Sequence, residues 1–465
     1  MIARIALRFT AWAERWLPDA FVFALLATFV VLGLGMVAGH ATPLAVVDAW
    51  GKGFWELLPF TMQMALVIVT GYVLAASRPV ARAIAWLARL PRTARQAVAM
   101  LAAFSMVAAW FNWGFSLVFG ALLARETARH RPEVDYRALA ASSLLGLGSV
   151  WAQGLSSSAA LQMATPGQLP PKIRDIVAAG GVVPDGLIPL RATIFTWQSL
   201  ASVAIEILVV VAVMVASYPP TGRARTAADL GIRLDPLPTT DAPSDRPLTP
   251  AERLEHSRIV GGGIALLGAT YLVLYFVRAA DHLSALNLNT INLAFLTLGI
   301  ALHGTPARLM RAVRNAVPAT WGVVLQFPFY AGIAGIITYT GLNARLAHLF
   351  VDVSTRITFA PLVAAYSAVL GVFVPSGGSK WVIEAPYVLQ AAHDLKVHLG
   401  WTVAVYNLGE ALANLVQPFW MLPTLAVLGL EARDVMGFTF VVFLVLTPVV
   451  LLLVTLLGPT LAYPL

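Results

Sequence analysis

The stretch VPSGGSKWVIE, Val374 to Glu384, puts two glycines, two serines, a lysine and a glutamate in the middle of an otherwise apolar run. Lipid offers no hydrogen bonds, so backbone at membrane depth carries such groups only where it lines a cavity or is buried in protein. Three other interruptions have the same character: Asn112-Trp113-Gly114, the run from Gln153 to Ser158 that holds Ser156 and Ser157, and the run from Asn414 to Gln417. A helix that restarts at such a break, as after Ser376, Gly377, Gly378 and Ser379, aims the positive end of its dipole at the break, which favours an anion. Alternatively, unwound carbonyls and hydroxyls of Asn112, Ser156, Ser157, Ser376 and Asn414 could coordinate sodium. For any one serine or asparagine, a helix-packing hydrogen bond explains its presence as well as a ligand role does. The paired arrangement is more specific than its members.

Lys380 is the most informative single residue. A cation in the first turn of a helix opposes the dipole, which is costly unless an anion sits beside it, either a substrate carboxylate or a side chain such as Glu384 or Glu410; snorkelling of the lysine is the other reading. Its ammonium could also occupy the volume of a coupling cation, in which case sodium need not bind at this tip. Glu410 and Glu206 lie inside apolar spans and are candidate proton carriers, Glu410 being the better placed beside Gly409 and near Asn414. Trp151, Trp381, Phe419 and Trp420 flank the breaks and would wall a small apolar pocket, simple packing being the alternative.

The elements that must position these groups are membrane helices. Of 465 residues, 59% are hydrophobic and 12% charged, with mean hydropathy +0.78, against roughly 25% charged in an ordinary soluble domain. The net charge of +8 and pI near 9.9 come from bases in short loops between apolar spans, which is topology information and no footprint for nucleic acid. The absence of cysteine excludes disulfides and thiolate metal sites. The basic, amphipathic N-terminus reads as a retained interfacial segment.

Loop charge then sets orientation. Arg78, Arg82, Arg89, Arg92 and Arg95 mark one cytoplasmic loop and Arg125, Arg129, Arg131 and Arg137 the next, with a single apolar segment between them. That segment must enter and return, turning at Asn112. Continuing along the chain puts the Pro-rich stretch 219–257 and a short loop carrying Arg308, Arg311 and Arg314 inside, and predicts about nine crossings and two re-entrant hairpins. The N-terminus is then cytoplasmic and the C-terminus periplasmic.

An internal repeat supports this topology. Gln63 pairs with Gln326, Asn112 with Ser376, and the break after Trp151 with that near Asn414, all offset by about 264 residues. The expected architecture is an all-α integral membrane fold of two inverted repeats. Residues 1–218 hold the first, with hairpin 97–124 and broken helix 138–166. A cytoplasmic linker, 219–258, and one extra crossing helix, 259–278, invert the second repeat, 279–465, with hairpin 359–392 and broken helix 401–430. Two amphipathic arms precede the hairpins, the first with Val80, Ile84 and Leu87 on a face away from Arg82 and Arg89, the second with Leu346, Leu349, Phe350 and Val353 on a face away from Arg345 and Asp352, as tethers for a mobile bundle or helices resting on the membrane.

Several blocks in this order, NWGFSLVFGA, ATPG, LQFPFYAGI, VPSGGSKWVI and GEALANLVQPFW, resemble the AtoE-type short-chain fatty acid transporters over nearly the whole chain. The resemblance implies a bacterial inner-membrane carrier for short monocarboxylates such as acetoacetate or butyrate, the wider ion-transporter superfamily fold, elevator-type movement, and coupling to Na+ or H+. By analogy with elevator scaffolds a homodimer is expected. The chain departs from the family pattern where Ser379 and Lys380 stand in place of a small residue and a histidine, and where Ala152-Gln153-Gly154 replaces a glycine-rich block; both changes fall in the expected pocket. The competing readings are a small-anion channel, which needs a continuous polar path, and a carrier of other small carboxylates such as C4-dicarboxylates. No zinc-protease or nucleophile-elbow motif is present, so an enzyme is not expected.

Overall fold

The computed structural model describes residues 20–165, 167, 171–220, 222–234, 248–279, 285, 288–342, 345, 349, 352–373, 377–417 and 419–465. Among these residues every regular element is a helix. The first half runs α1 (Ala20–Val37), α2 (Pro43–Gly53), α3 (Leu58–Ala75), α4 (Arg78–Leu87), α5 (Ala94–Phe111), α6 (Trp113–His130), α7 (Tyr136–Leu144), α8 (Ser158–Ala164), α9 (Pro171–Ala178) and α10 (Trp197–Ser217). A short α11 (Pro250–Glu255), closed by a Thr249–Glu252 capping box, leads into α12 (Arg258–Arg278), α13 (Leu288–His303) and α14 (Pro306–Ala316). The second half runs α15 (Trp321–Tyr339), α16 (Phe359–Phe373), α17 (Gly377–Asp394), α18 (Leu399–Ala413), α19 (Leu422–Leu428) and α20 (Ala432–Leu457).

Asn112 shows how sequence makes a break. Its extended backbone (φ −158°, ψ 119°) ends α5, and its side-chain Oδ1 accepts from the Phe115 N–H at 2.7 Å, capping α6. α6 doubles back along α5: Ser116 Oγ donates to Ser105 O at 2.7 Å, and the Phe104 and Phe119 rings stack with centroids 4.6 Å apart. α16 and α17 also fold onto each other, with the Tyr366 and Tyr387 hydroxyls 3.1 Å apart. The segment after α7 passes through turns and a 3-10 stretch at Val150–Gln153 before α8, capped by Ser157. Likewise α18 ends at Asn414, and α19 follows a 3-10 turn, Phe419–Met421.

One set of contacts recurs in the two halves. α3 packs on α6, and α15 on α17; α5 packs on α7, and α16 on α18; α10 lies on α5, and α20 on α16. α19 meets α6, and α8 meets α17, so each broken segment reaches the hairpin of the other half. In lipid, helices associate through close packing and hydrogen bonds, so small residues decide these crossings. A Cβ on Gly409 would stand 2.3 Å from Ala364 O, and one on Gly146 2.3 Å from Ser105 O. Both glycines therefore let a broken helix touch the backbone of the hairpin arm beside it.

By length and composition, four helical stretches among the described residues can each cross a membrane: Ala94–Phe111, Trp197–Ser217, Pro250–Arg278 and Ala432–Thr460. Two bent pairs add to these: Thr61–Ala75 with Arg78–Leu87 at 71°, and Pro306–Ala316 with Trp321–Ile337 at 52°. The second pair corrects one expectation. Arg308, Arg311 and Arg314 are carried on helix α14, because Thr305 and Pro306 start a helix and the alanine- and arginine-rich sequence sustains it. In α4, Ile84 is buried while Arg82 is exposed, and Arg89, just past its end, is exposed too, the two faces the sequence suggested. Leu346 and Phe350 of the second arm lie outside the described residues.

Candidate functional site

The four breaks converge on one small cavity. Trp113 comes from the first hairpin turn, Leu147, Trp151 and Ser158 from the first broken segment, Gly377 and Gly378 from the start of α17, and Trp420 from the second broken segment. Met64 of α3 and Phe327 of α15 complete it. The cavity measures about 20 Å³, enough for about one water molecule. The three indoles touch edge to face, Trp113–Trp420 at 5.2 Å and Trp113–Trp151 at 6.4 Å between centroids. Among the described residues, no lining residue carries a charge.

Hydrogen bonds lock the breaks together. Trp113 N–H donates to Ser156 Oγ at 3.0 Å, and Leu155 N–H donates to Trp110 O at 2.7 Å, so the first broken segment lies along the first turn. That approach requires glycine: a Cβ on Gly154 would stand 2.0 Å from Trp110 O. Gln162 of α8 donates to Gly378 O at 3.3 Å, and Tyr406 Oη donates to Gly377 O at 2.5 Å, fixing both glycines that open α17. Asn414 Nδ2 donates to Leu147 O at 3.2 Å and ties the two broken segments to each other. Asn112 Oδ1 and Ser156 Oγ are thus already accepting from backbone amides here, and Ser157 Oγ accepts from Ala160 N.

Directly behind Gly377 lies a buried charge cluster. Lys380 Nζ is 2.8 Å from Glu410 Oε2 and 3.1 Å from Glu384 Oε1, and it donates to Ser367 O at 2.6 Å. The Tyr406 ring covers it at 4.5 Å, a cation–π contact. All three charged side chains are buried, Lys380 and Glu384 completely. Glu384 Oε2 accepts from Ser367 Oγ at 2.5 Å, whereas Glu410 Oε1 has no hydrogen-bond partner among the described residues. Room for Glu410 comes from two glycines, since a Cβ on Gly371 would lie 3.0 Å from Glu410 Oε2 and one on Gly377 3.4 Å from its Cγ. An ammonium has three N–H donors, and three oxygens already surround this one. In this arrangement Lys380 stands behind the cavity wall, held by side chains and a carbonyl.

Of the sequence candidates, the structure gathers Trp113, Gly377 and Gly378 at the cavity, with Asn112, Gly114, Ser156, Ser157, Asn414 and Gln417 around it in the breaks, and Lys380 and Glu410 in the cluster. Gly114 packs on α3, where a Cβ would stand 2.8 Å from Val67 O. Ser376 and the side chain of Ser379 lie outside the described residues, as does the side chain of Phe419. Trp381 faces Tyr406 at 4.6 Å and is absent from the cavity lining. Glu206 is buried on α10 and accepts from Gln153 Nε2 at 2.6 Å, which holds it away from the lysine cluster's hydrogen bonds. Sequence reasoning missed Met64, Phe327, Gln162 and Tyr406. The first two directly follow Gln63 and Gln326, the two glutamines paired with each other on sequence grounds.

Comparison with known proteins gives a consistent assignment. The family model described as short chain fatty acid transporter matches residues 1–457. An Escherichia coli protein named "Putative short-chain fatty acid transporter" is 38% identical over 439 residues, 94% of this chain and 96% of that protein. A Haemophilus influenzae protein of the same name is 36% identical over 449 residues, 97% and 98% of the two chains. Among solved structures, the YdaH transporter of Alcanivorax borkumensis superposes with a TM-score of 0.57 at 14% identity, covering 95% of this chain and 98% of that one. Neisseria gonorrhoeae MtrF, from a class of antimetabolite efflux pumps, gives 0.52 at 13%, covering 98% of each. These two likenesses concern the fold alone.

Proposed function

The chain belongs to the short-chain fatty acid transporter family, and on that premise we propose that it is a cation-coupled secondary carrier of short monocarboxylates across the bacterial inner membrane. The observation that best supports this reading is the cavity itself, where the first hairpin turn, the start of α17 and both broken segments meet against one residue from α3 and one from α15. Tryptophan walls suit a short aliphatic tail, and the amides that open α17 at Gly377 and Gly378 suit a carboxylate. A cavity of about 20 Å³ is smaller than any such acid, so loading requires a hairpin turn to move. A dicarboxylate would bring a second charge to a lining whose described residues offer none in return, which favours the monocarboxylate.

On this reading the hairpins are re-entrant and oppositely oriented, the two halves are inverted repeats with about nine crossings in all, and the N-terminus faces the cytoplasm and the C-terminus the periplasm. Asn112, Trp113, Gly114, Ser156, Ser157, Ser376, Gly377, Gly378, Ser379, Asn414 and Gln417 form the moving site, Glu410 handles a coupling proton, and transport is elevator-type within a homodimer. α3 and α15 act as the fixed wall. The test is uptake of a panel from acetate to hexanoate into proteoliposomes, with the sodium and pH gradients set independently. Saturable uptake of at least one acid, driven by one of the two gradients, supports the proposal; uptake indistinguishable from empty vesicles for the whole panel rejects it.

A further inference from the structure

Resting on the carrier reading above, we propose that Lys380 is a resident cation. Its ammonium occupies, between Glu384, Glu410 and the Ser367 carbonyl, the place that a coupling sodium would take, so the carrier cycles without sodium and becomes sodium-dependent when the ammonium is removed.

Three observations carry the assignment. The three oxygens within 3.1 Å of Nζ are two carboxylate oxygens and a main-chain carbonyl, the hard donors that alkali cations take in discontinuous helices. They come from α16, α17 and α18, so a cation at this point holds the hairpin to the broken helix whatever its identity. Lys380 is wholly buried beneath the Tyr406 ring, and its four-carbon stem is anchored in α17, so this cation cannot dissociate as a free ion would. Lastly, two of the other oxygens that could take sodium near the turns, Asn112 Oδ1 and Ser156 Oγ, already accept from backbone amides, and no group of three or more His, Cys, Asp or Glu that could hold a metal ion occurs among the described residues.

The cation also communicates with the cavity. Tyr406, whose ring lies over Nζ, donates its hydroxyl to Gly377 O, and Gly377 lines the cavity. With Lys380 removed, two buried carboxylates and a carbonyl remain without the cation they surround.

The test compares wild type with Lys380→Ala and Lys380→Gln in sodium chloride and in choline chloride. Thermal unfolding of purified protein is read first, because it needs no substrate. The expected result is a wild-type Tm indifferent to the exchange of choline for sodium, and a Tm in Lys380→Ala that rises with sodium concentration as ligand linkage requires. Butyrate uptake in proteoliposomes should follow: sodium-independent for wild type, and low in choline but restored by sodium for the variant. Lys380→Gln retains hydrogen-bond donors toward Ser367 O and serves if the alanine variant does not fold. Sodium-dependent wild-type uptake, or folded variants whose Tm ignores sodium, would overturn the proposal. If wild type moves no short acid at all, the carrier reading fails, and the unfolding comparison still decides the cation assignment.

Discussion

Lys380→Met, read in a cycle with Glu410→Gln, gives the most quantitative test of the charge cluster. Wild type holds one ammonium 2.8 Å and 3.1 Å from two buried carboxylates. Methionine fills most of the lysine stem but removes the charge, leaving Glu384 and Glu410 facing each other without a counter-ion. Breaking a buried pair by deleting one partner costs about 3–5 kcal/mol. Glu410→Gln leaves the ammonium with Glu384 Oε1 and Ser367 O, so its cost is the smaller one of about 1–3 kcal/mol expected for a disturbed buried hydrogen bond. The double variant removes the ammonium and one orphaned charge together and should be more stable than the sum of the single losses by about 1–3 kcal/mol. Unfolding by sodium dodecyl sulfate in mixed micelles, followed by tryptophan fluorescence, measures all four corners. Losses additive to within about 0.5 kcal/mol would mean that the two side chains do not interact, and would refute the cluster.

Three further outcomes are expected. Gly154→Ala should lower short-acid binding by about tenfold or more, equivalent to about 1.4 kcal/mol, because its methyl would stand 2.0 Å from Trp110 O and 2.6 Å from that residue's carbonyl carbon and Cα, backbone that cannot swing aside; Gly262→Ala on α12, with nothing within 4 Å, should be neutral or slightly stabilising, and titration calorimetry with thermal melts compares the two. Ser156→Ala should cost about 1–3 kcal/mol by orphaning the buried Trp113 amide, read in the same micelle unfolding assay, with Ser156→Thr restoring most of the loss. Since the chain has no cysteine, Ser158→Cys gives a single reporter on the cavity wall: a membrane-impermeant maleimide should label it from one side or the other according to the imposed substrate gradient, and labelling from one side under every gradient would contradict alternating access.

Much of the site was legible because lipid is an unforgiving solvent for polar groups. Asn112 and the glycines at Gly377 and Gly378 interrupt apolar runs, and such interruptions survive only where protein or cavity receives them. Lys380 in the first turn of α17 demanded a nearby anion on electrostatic grounds, and the structure supplies two. What sequence left open was which anion. The choice between a substrate carboxylate and Glu410 depends on α18 lying against α16, which Gly409 permits by close contact with Ala364, forty-odd residues away in sequence. The same holds for Met64, Phe327 and Gln162, whose partners lie across the fold, and for Tyr406, whose two roles follow from the position of α17. α14 escaped notice because its three arginines read as loop charge, although their spacing of three also suits one face of a helix.

The central claim is that one cavity, exposed alternately to each side, carries a short monocarboxylate. Counterflow tests it most directly: proteoliposomes loaded with unlabelled butyrate are diluted into a trace of labelled butyrate without any ion gradient. The account predicts a transient accumulation of label above equilibrium that saturates with internal butyrate and is lost in Gly154→Ala. Label that merely equilibrates, at a rate independent of the internal acid, would contradict it and would identify a passive pore.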